Sequence, residues 1–467
     1  VVFNITPEER KVFELIAKAA TNCNYPVYLV GGFVRDRILA RQSDDVDVVC
    51  VGDGIHLAEE LARMMWPVPR VTVFKRFGTA MLKHRNMEIE FVGARRESYS
   101  AFSRNPMVEN GSLEDDQNRR DFTINAMAVS LNEEDFGMII DPFNGLHHLE
   151  IKLIKTPLDP EKTFSDDPLR MMRAVRFSTQ LGFDIHPDTY SAISKYKSRI
   201  KIISKERITI EIEKIMASQK PSIGFKLLFD TGLLQIIFPE LVALHGVETI
   251  DGIGHKDNFY HTLEVLDNVA QESNNIWLRW AALLHDIAKP PTKRFDKELG
   301  WTFHGHETLG AIMVGKIFKN LRLPLDHKMK YVQKLVKLHL RPIALTKEEI
   351  TDSAVRRLVF EASDDIDDLM LLAKADITSK NEKKVDRFKK NYENLIIKIA
   401  EIEESDRMRN WQPPITGEDI MREFSLPPGR IVGNLKTAVR EAILDGIIAN
   451  DYDAALEFVK EEFEKME

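Results

Sequence analysis

Two neighbouring stretches constrain this chain more than any other feature. Residues 26–36 read PVYLVGGFVRD, and residues 44–49 read DDVDVV. The first predicts a short buried strand, a Gly-Gly turn and the start of a helix; the second opens an apolar strand over 45–51. Side chains alternate faces along a strand, so Asp45 and Asp47 share one face while Val46 and Val48 point to the other. A carboxylate pair on one face can hold a divalent cation, although taken alone such a pair is more often just an exposed strand face. The turn that precedes it shifts the balance. Gly31 and Gly32 let backbone N–H groups approach a phosphate at the positive end of a helix. Arg35, in the first helical turn, can add a charge-assisted contact to the same phosphates. A phosphate cradle beside a cation-binding carboxylate pair is what phosphoryl transfer requires.

Around this nucleus, further strand-like stretches at 71–82 and 87–93 make roughly the first 150 residues mixed α/β, and from Pro160 onward apolar residues recur at helical spacing. Proline and glycine interrupt the pattern near Thr156–Pro160, Asp251–Asp257 and Trp411–Pro414. For 467 residues this predicts a multidomain α+β chain with units at 1–155, 156–250, 251–400 and 401–467. No apolar run approaches the ~20 residues that span a bilayer. The polar start, Val1 to Arg10, lacks the layout of a secretory signal, so the expectation is a cytoplasmic protein with no membrane association and no protein partner. Cys23 and Cys50 are too few for a disulfide framework or a cysteine zinc site and read as buried fillers. The formal charge of −8 argues against indiscriminate coating of nucleic acid. A local basic run at 195–207, KYKSRIKIISKER, is a candidate RNA-backbone patch, with a solvated helix face as the plain alternative.

LVGGFVRD and the Asp45/Asp47 pair are followed by EIEFVGAR at 88–95, RRDFTINAMA at 119–128, DPFNG at 141–145 and DDPLRMMRAVRF at 166–177. In this order the segments resemble the class II tRNA nucleotidyltransferase and bacterial poly(A) polymerase family, part of the polymerase-β-like nucleotidyltransferase superfamily, over roughly the first 240 residues. The resemblance implies a catalytic head followed by an all-α neck, with DPFNG as the connector between them. It implies two Mg²⁺ ions on Asp45 and Asp47, with Glu90 as the third carboxylate. Glu88 shares that strand face and competes for the assignment. Two metals would activate the RNA 3′-hydroxyl and stabilise departing pyrophosphate. Arg120, Asp121 and Asn125 match the family's sugar and phosphate contacts.

Asp167, Arg170, Arg173 and Arg176 recur every third residue on a predicted helix, with Leu169, Met172 and Val175 as its packing residues. In the family such a helix is an amino-acid template. An Asp accepts from the exocyclic amine of cytosine or adenine, and an Arg donates to the adjacent ring acceptor. Uracil and guanine present the opposite pattern. The resemblance assigns this pair to Asp167 and Arg170, and nearby phosphate or base contacts to Arg173 and Arg176. The family commonly has Glu before this Asp; here Asp166 stands there and is expected to reach Arg170 with one methylene less.

Farther along, His261 opens an apolar helix, and WLRWAALLHDIAK ends another with His285 and Asp286 adjacent. Imidazole and carboxylate from separate helices can hold a divalent metal and leave positions open for water, and Lys289 could meet a phosphate. The order His261, His285-Asp286, His304/His306 and Asp376 resembles the HD phosphohydrolase superfamily over about 255–380. That resemblance implies His261, His285, Asp286 and Asp376 as ligands of a transition metal or Mg²⁺, with His304, His306 and His339 as further ligands or phosphate contacts. It also implies phosphatase or 2′,3′-cyclic phosphodiesterase action on RNA ends. The segment GRIVGNLKTAVREAILDG resembles the helical tail that follows the HD domain in related enzymes, where tRNA or domain contacts are expected.

The leading expectation is CCA addition to tRNA from CTP and ATP. Poly(A) synthesis, and addition of CC alone or A alone, stay open. Residues 97–118 read as a polar, irregular loop and are the candidate for the segment that separates these activities.

Overall fold

The computed structural model describes residues 3–100, 103–250, 252–346, 350–378, 382–406, 408 and 411–465. The chain divides into two compact units, Val1–Pro239 and Glu240–Glu467.

The first unit is built on a seven-stranded mixed sheet. Its strands are β1 (Val27–Val30), β2 (Asp45–Cys50), β3 (Val71–Phe74), β4 (Thr79–His84), β5 (Met87–Gly93), β8 (Ala128–Ser130) and β9 (Ile139–Ile140), and β6 (Arg95–Ser100) pairs separately with β7 (Ser103–Asn110). The sheet order is β3-β4-β5-β2-β1-β8-β9. β2 and β5 run parallel, and the other pairs are antiparallel. Helix α1 (Pro7–Cys23) starts at a capping box between Thr6 and Glu9, α2 (Gly31–Ile38) follows β1 directly, and α3 (Gly54–Arg63) is capped by Asp53. Val46, Val48, Ile89 and Phe91 are buried, and each such side chain taken from water contributes roughly 1.5–3 kcal/mol.

The 71–82 stretch is two strands rather than one. A 3₁₀ turn at Lys75–Phe77 ends on Gly78 at φ +63°, a left-handed position open to glycine, and the chain reverses there into β4. Residues 97–118 form most of the β6–β7 hairpin and then α4 (Leu113–Asn118), not an irregular loop; residues 101 and 102 lie outside the described residues.

Helices follow: α5 (Gly145–Glu150), α6 (Pro160–Asp166), α7 (Leu169–Leu181), α8 (Pro187–Tyr196), α9 (Lys205–Met216) and α10 (Ser222–Asp230). In the DPFNG segment, both carboxylate oxygens of Asp141 accept from the first N–H groups of α5, those of Gly145 and Leu146. The second unit is helical apart from short two-stranded ribbons. Trp280 and Phe318 anchor its core. Among the described residues no helix is long and apolar enough to cross a membrane. Cys50 is buried as expected, but Cys23 is only partly so.

Candidate active site

Register brings the acids of the first unit together. Asp45 lies opposite Glu88, and Asp47 lies opposite Glu90 on the neighbouring parallel strand. All four side chains therefore share one face, and all line a cleft of about 540 Å³. Glu88 is ion-paired with Lys83 across β4, whereas Glu90 faces Asp47. Burial pushes the Asp47 carboxyl up to about 6; Arg120 opposes that, and the charges of Glu90, Asp45 and Asp116 add to it. Several carboxylates converging with too little positive charge fit a divalent cation.

Gly31 sits at φ +74°, and a Cβ there would fall 2.7 Å from Asp47 Oδ2 and 3.1 Å from Arg120 Nη1. Only glycine lets the turn come this close to the carboxylate. Gly32 and Arg35 line the same cleft. No side chain caps α2, whose leading N–H groups open on Gly31 and Gly32.

The basic wall is braced by its own acids. Asp116, fully buried, pairs with both Arg119 and Arg120. Arg35 donates to both oxygens of Asp36, at 2.8 and 2.7 Å, and to Asn125 Oδ1 at 2.7 Å. Asp121 is buried and accepts from Phe122 N and Asn125 Nδ2 on one oxygen and from Arg173 on the other. Burial opposes its charge, but Arg173 and Asn125 prevail and hold the carboxyl down at about 2. Asp121 thus brackets Arg173 and Asn125 while also lining the cleft.

Helix α7 meets this wall. Arg173 and Arg176 line the cleft, and Arg176 Nε lies 2.6 Å from Glu211 Oε2 on α9. Sequence reasoning missed Phe177, whose ring receives the guanidinium groups of Arg35, Arg173 and Arg176 with centroid distances of 4.8, 5.4 and 4.1 Å. Its position beside Arg176 and four residues after Arg173 was the available signal.

Asp167 and Arg170 are placed differently from the expectation. Asp167 precedes the helix, as C-cap of α6, and its Oδ1 accepts from Leu169 N at 3.2 Å. Pro168 cannot continue the hydrogen bonding of α6, so α7 starts afresh at Leu169. Arg170 Nη2 donates to the Arg119 carbonyl at 2.6 Å. Neither residue lines the cleft, unlike Arg173 and Arg176. Asp166 is half-buried, and burial raises its pKa against the opposing charges of Lys162, Arg170 and Arg199. In the basic run, Lys195 binds Glu161 at 2.7 Å, so that lysine is neutralised locally.

The second unit gathers its ligand candidates from helix ends. His261 lies in the helix Asn258–Glu272, His285 and Asp286 follow Ile276–Leu284, His306 opens His306–Leu321, His339 follows His327–Leu338, and Asp376 ends Ile366–Asp376. His261 Nε2 is 2.9 Å from Asp376 Oδ1 and 3.6 Å from Asp286 Oδ2; His285 Nε2 is 3.2 Å from Asp286 Oδ2. The Nδ1 atoms of His285, His306 and His339 lie 2.8, 2.7 and 2.6 Å from backbone carbonyls, which aims each Nε2 inward. Those three buried Nε2 atoms make no hydrogen bond of acceptable geometry. Burial works against a charge on His285, but Asp286 and Asp376 outweigh it and hold the imidazole up at about 10. Inward nitrogens around the buried Asp286 carboxylate, those of His261 and His285 in one group and of His306 and His339 in another, fit a divalent metal. His304 is exposed and His306 is buried, which separates that pair. Lys289 Nζ contacts Asp286 Oδ2 at 2.6 Å.

Each of the two centres lies within a separate family match. Residues 27–155 match the poly A polymerase head domain, residues 182–244 match the probable RNA and SrmB-binding site of polymerase A, and residues 258–381 match the HD domain. The multifunctional CCA protein of Pseudomonas paraeruginosa is 33% identical over 315 residues, 64% of this chain and 71% of that protein. The A-adding tRNA nucleotidyltransferase of Deinococcus radiodurans is 31% identical over 353 residues, 73% of this chain and 78% of that protein. A solved tRNA nucleotidyltransferase, complexed with a primer tRNA and an incoming ATP analog, shares 27% identity at a TM-score of 0.59, covering 82% of this chain and 98% of its own.

Proposed function

This chain belongs to the tRNA nucleotidyltransferase family of CCA-adding and A-adding enzymes, and we propose that it completes the 3′ end of tRNA by adding C, C and A from CTP and ATP. The observation that carries this reading is the convergence, in one cleft, of Asp45, Asp47 and Glu90 with the Gly31–Gly32 turn, Arg120 and the arginines of α7.

Asp45, Asp47 and Glu90 are the residues that would hold Mg²⁺. Bound there, the ions would lower the pKa of the RNA 3′-hydroxyl and neutralise the departing pyrophosphate. Gly31 and Gly32 present the start of α2 to the triphosphate, and Arg120 supplies positive charge beside it. Asp121 and Asn125 position Arg173 and Arg35, which with Arg176 surround the ring of Phe177. We assign nucleotide selection to Asp167 and Arg170. Arg170 must then exchange the Arg119 carbonyl for the base. Selection of C and A over U and G then follows from one acceptor and one donor.

For the second unit we propose hydrolysis of phosphomonoesters or 2′,3′-cyclic phosphodiesters at RNA ends, with a transition metal or Mg²⁺ held by His261, His285, Asp286 and Asp376. Such a metal would activate water, and Lys289 would meet the phosphate. Work in the cytoplasm, where tRNA matures and thiols stay reduced, suits the free Cys23 and Cys50.

A-only addition is the second reading. It is favoured by the 31% identity to an A-adding enzyme, over more of this chain than the match to the CCA protein covers. The transferase assignment is tested by incorporation of labelled nucleotide into tRNA in Mg²⁺. Activity in the natural protein and its loss in Asp45→Ala are expected; incorporation that survives Asp45→Ala would move the chemistry elsewhere.

A further inference from the structure

The sheet face that carries the carboxylates continues past β5. Met81 on β4 lies opposite Glu90, and Thr72 on β3 lies opposite Met81. Directly opposed residues share a face, so Asp47, Glu90, Met81 and Thr72 form one row across four strands. Phe74, two residues beyond Thr72, stands on that face opposite Thr79, and Lys83 stands there opposite Glu88. β3 is the edge strand of the sheet.

The two sides of this row differ in charge. On the β1 side are the Gly31 turn and Arg120, whose Nη1 lies 3.1 Å from where a Gly31 Cβ would be. Polyphosphate is drawn to that side. Phosphoryl transfer places the attacking and leaving oxygens roughly in line, on opposite sides of the phosphorus. With pyrophosphate leaving toward β1, the RNA hydroxyl has to arrive over β5 and β4.

The surface on that approach suits a single strand. Phe74 is 42% exposed, Phe77 in the adjoining turn is 64% exposed, and Lys75 is exposed beside them, while Lys83 is exposed but paired with Glu88. The part of the Phe74 ring left exposed at the sheet edge offers an aromatic face beside a cation, which is what non-paired RNA bases stack upon. We propose that the β4–β3 end of the carboxylate face is the platform for the last unpaired nucleotides of the RNA primer, with Phe74 stacking on a base just before the reacting 3′ terminus. The proposal rests on the transferase reading above and adds where the RNA strand lies.

The test uses the full chain and a tRNA transcript ending in CC, with 2-aminopurine in place of the penultimate nucleotide. Binding in Mg²⁺ without nucleotide should quench the fluorophore. In Phe74→Ala the quench should be relieved, and the KM for RNA should rise roughly tenfold, with the KM for ATP unchanged. Phe74→Trp should restore both. Trp66→Ala, which removes another exposed aromatic from a loop outside the described row, should behave as the natural protein. A natural protein that incorporates nucleotide while Phe74→Ala matches it in quench and in RNA KM overturns the platform alone. A natural protein that extends no RNA overturns the transferase reading itself. If Phe74→Ala instead alters only sedimentation, the edge is a contact between copies of this chain, and the platform is likewise rejected.

Discussion

Arg173 Nε donates to Asp121 Oδ2 at 2.7 Å, a pair whose acid is 7% exposed and which ties α7 to the segment that follows α4. Arg173→Ala leaves a buried carboxylate without its main cation, at a cost on the order of 2–4 kcal/mol. The Asp121 pKa, held at about 2, lies below its ordinary value near 4. The stability it lends is therefore present above about pH 4 and lost as pH falls through about 2. Thermal melts from pH 7 to pH 2 should show the variant's deficit at neutral pH shrinking with acid. A deficit that stays constant over that range contradicts the pair's role.

Gly31→Ala should reduce incorporation by at least two orders of magnitude with the fold retained. The added methyl would meet Asp47 Oδ2 at 2.7 Å in a backbone conformation at φ +74°, so either the turn or the carboxylate has to shift. Single-turnover rates at saturating nucleotide report the loss, and a rate near that of the natural protein would show that the close approach is not needed.

Asp47→Asn should abolish incorporation yet stabilise the metal-free protein. Burial raises this carboxyl to about 6, so ionisation opposes folding increasingly from about pH 4 up to pH 6 and by a constant amount above. The amide removes that penalty, which is roughly 1–3 kcal/mol at pH 7.5 and vanishes below pH 4. Added Mg²⁺ should raise the Tm of the natural protein and leave that of the variant unmoved. Equal melting of the two metal-free proteins at pH 7.5 would count against the crowded carboxylates.

The two centres should separate by mutation. His285→Ala removes an inward imidazole that is fully buried beside Asp286 and Asp376. It is expected to lower metal content and hydrolysis of a 2′,3′-cyclic nucleotide without changing incorporation, while Asp45→Ala does the reverse. Loss of both activities in either variant would contradict independent sites.

Much of this arrangement was legible from residue order because it depends on short-range rules. A two-residue period set Asp45 and Asp47 on one face, and the Gly-Gly turn opened α2 where expected. What was not legible depends on partners distant in sequence. Glu88 and Glu90 look alike along the strand and differ because Lys83, on the neighbouring strand, pairs with the former. His304 and His306 differ because only the latter turns inward at the start of its helix, with Nδ1 held near the Phe303 carbonyl. Asp167 was read into the helix because periodicity ignores the break that Pro168 imposes. The β6–β7 hairpin carries a polar sequence without the apolar alternation that marks a strand half-buried in a sheet.

The most direct measurement is extension of a tRNA transcript that ends before CCA, in Mg²⁺ with CTP, ATP or both, with products resolved to single nucleotides. Three added nucleotides, and a stop there only when both substrates are present, is the result predicted. An open-ended ladder with ATP alone, or a single A added only to transcripts already ending in CC, would contradict CCA addition.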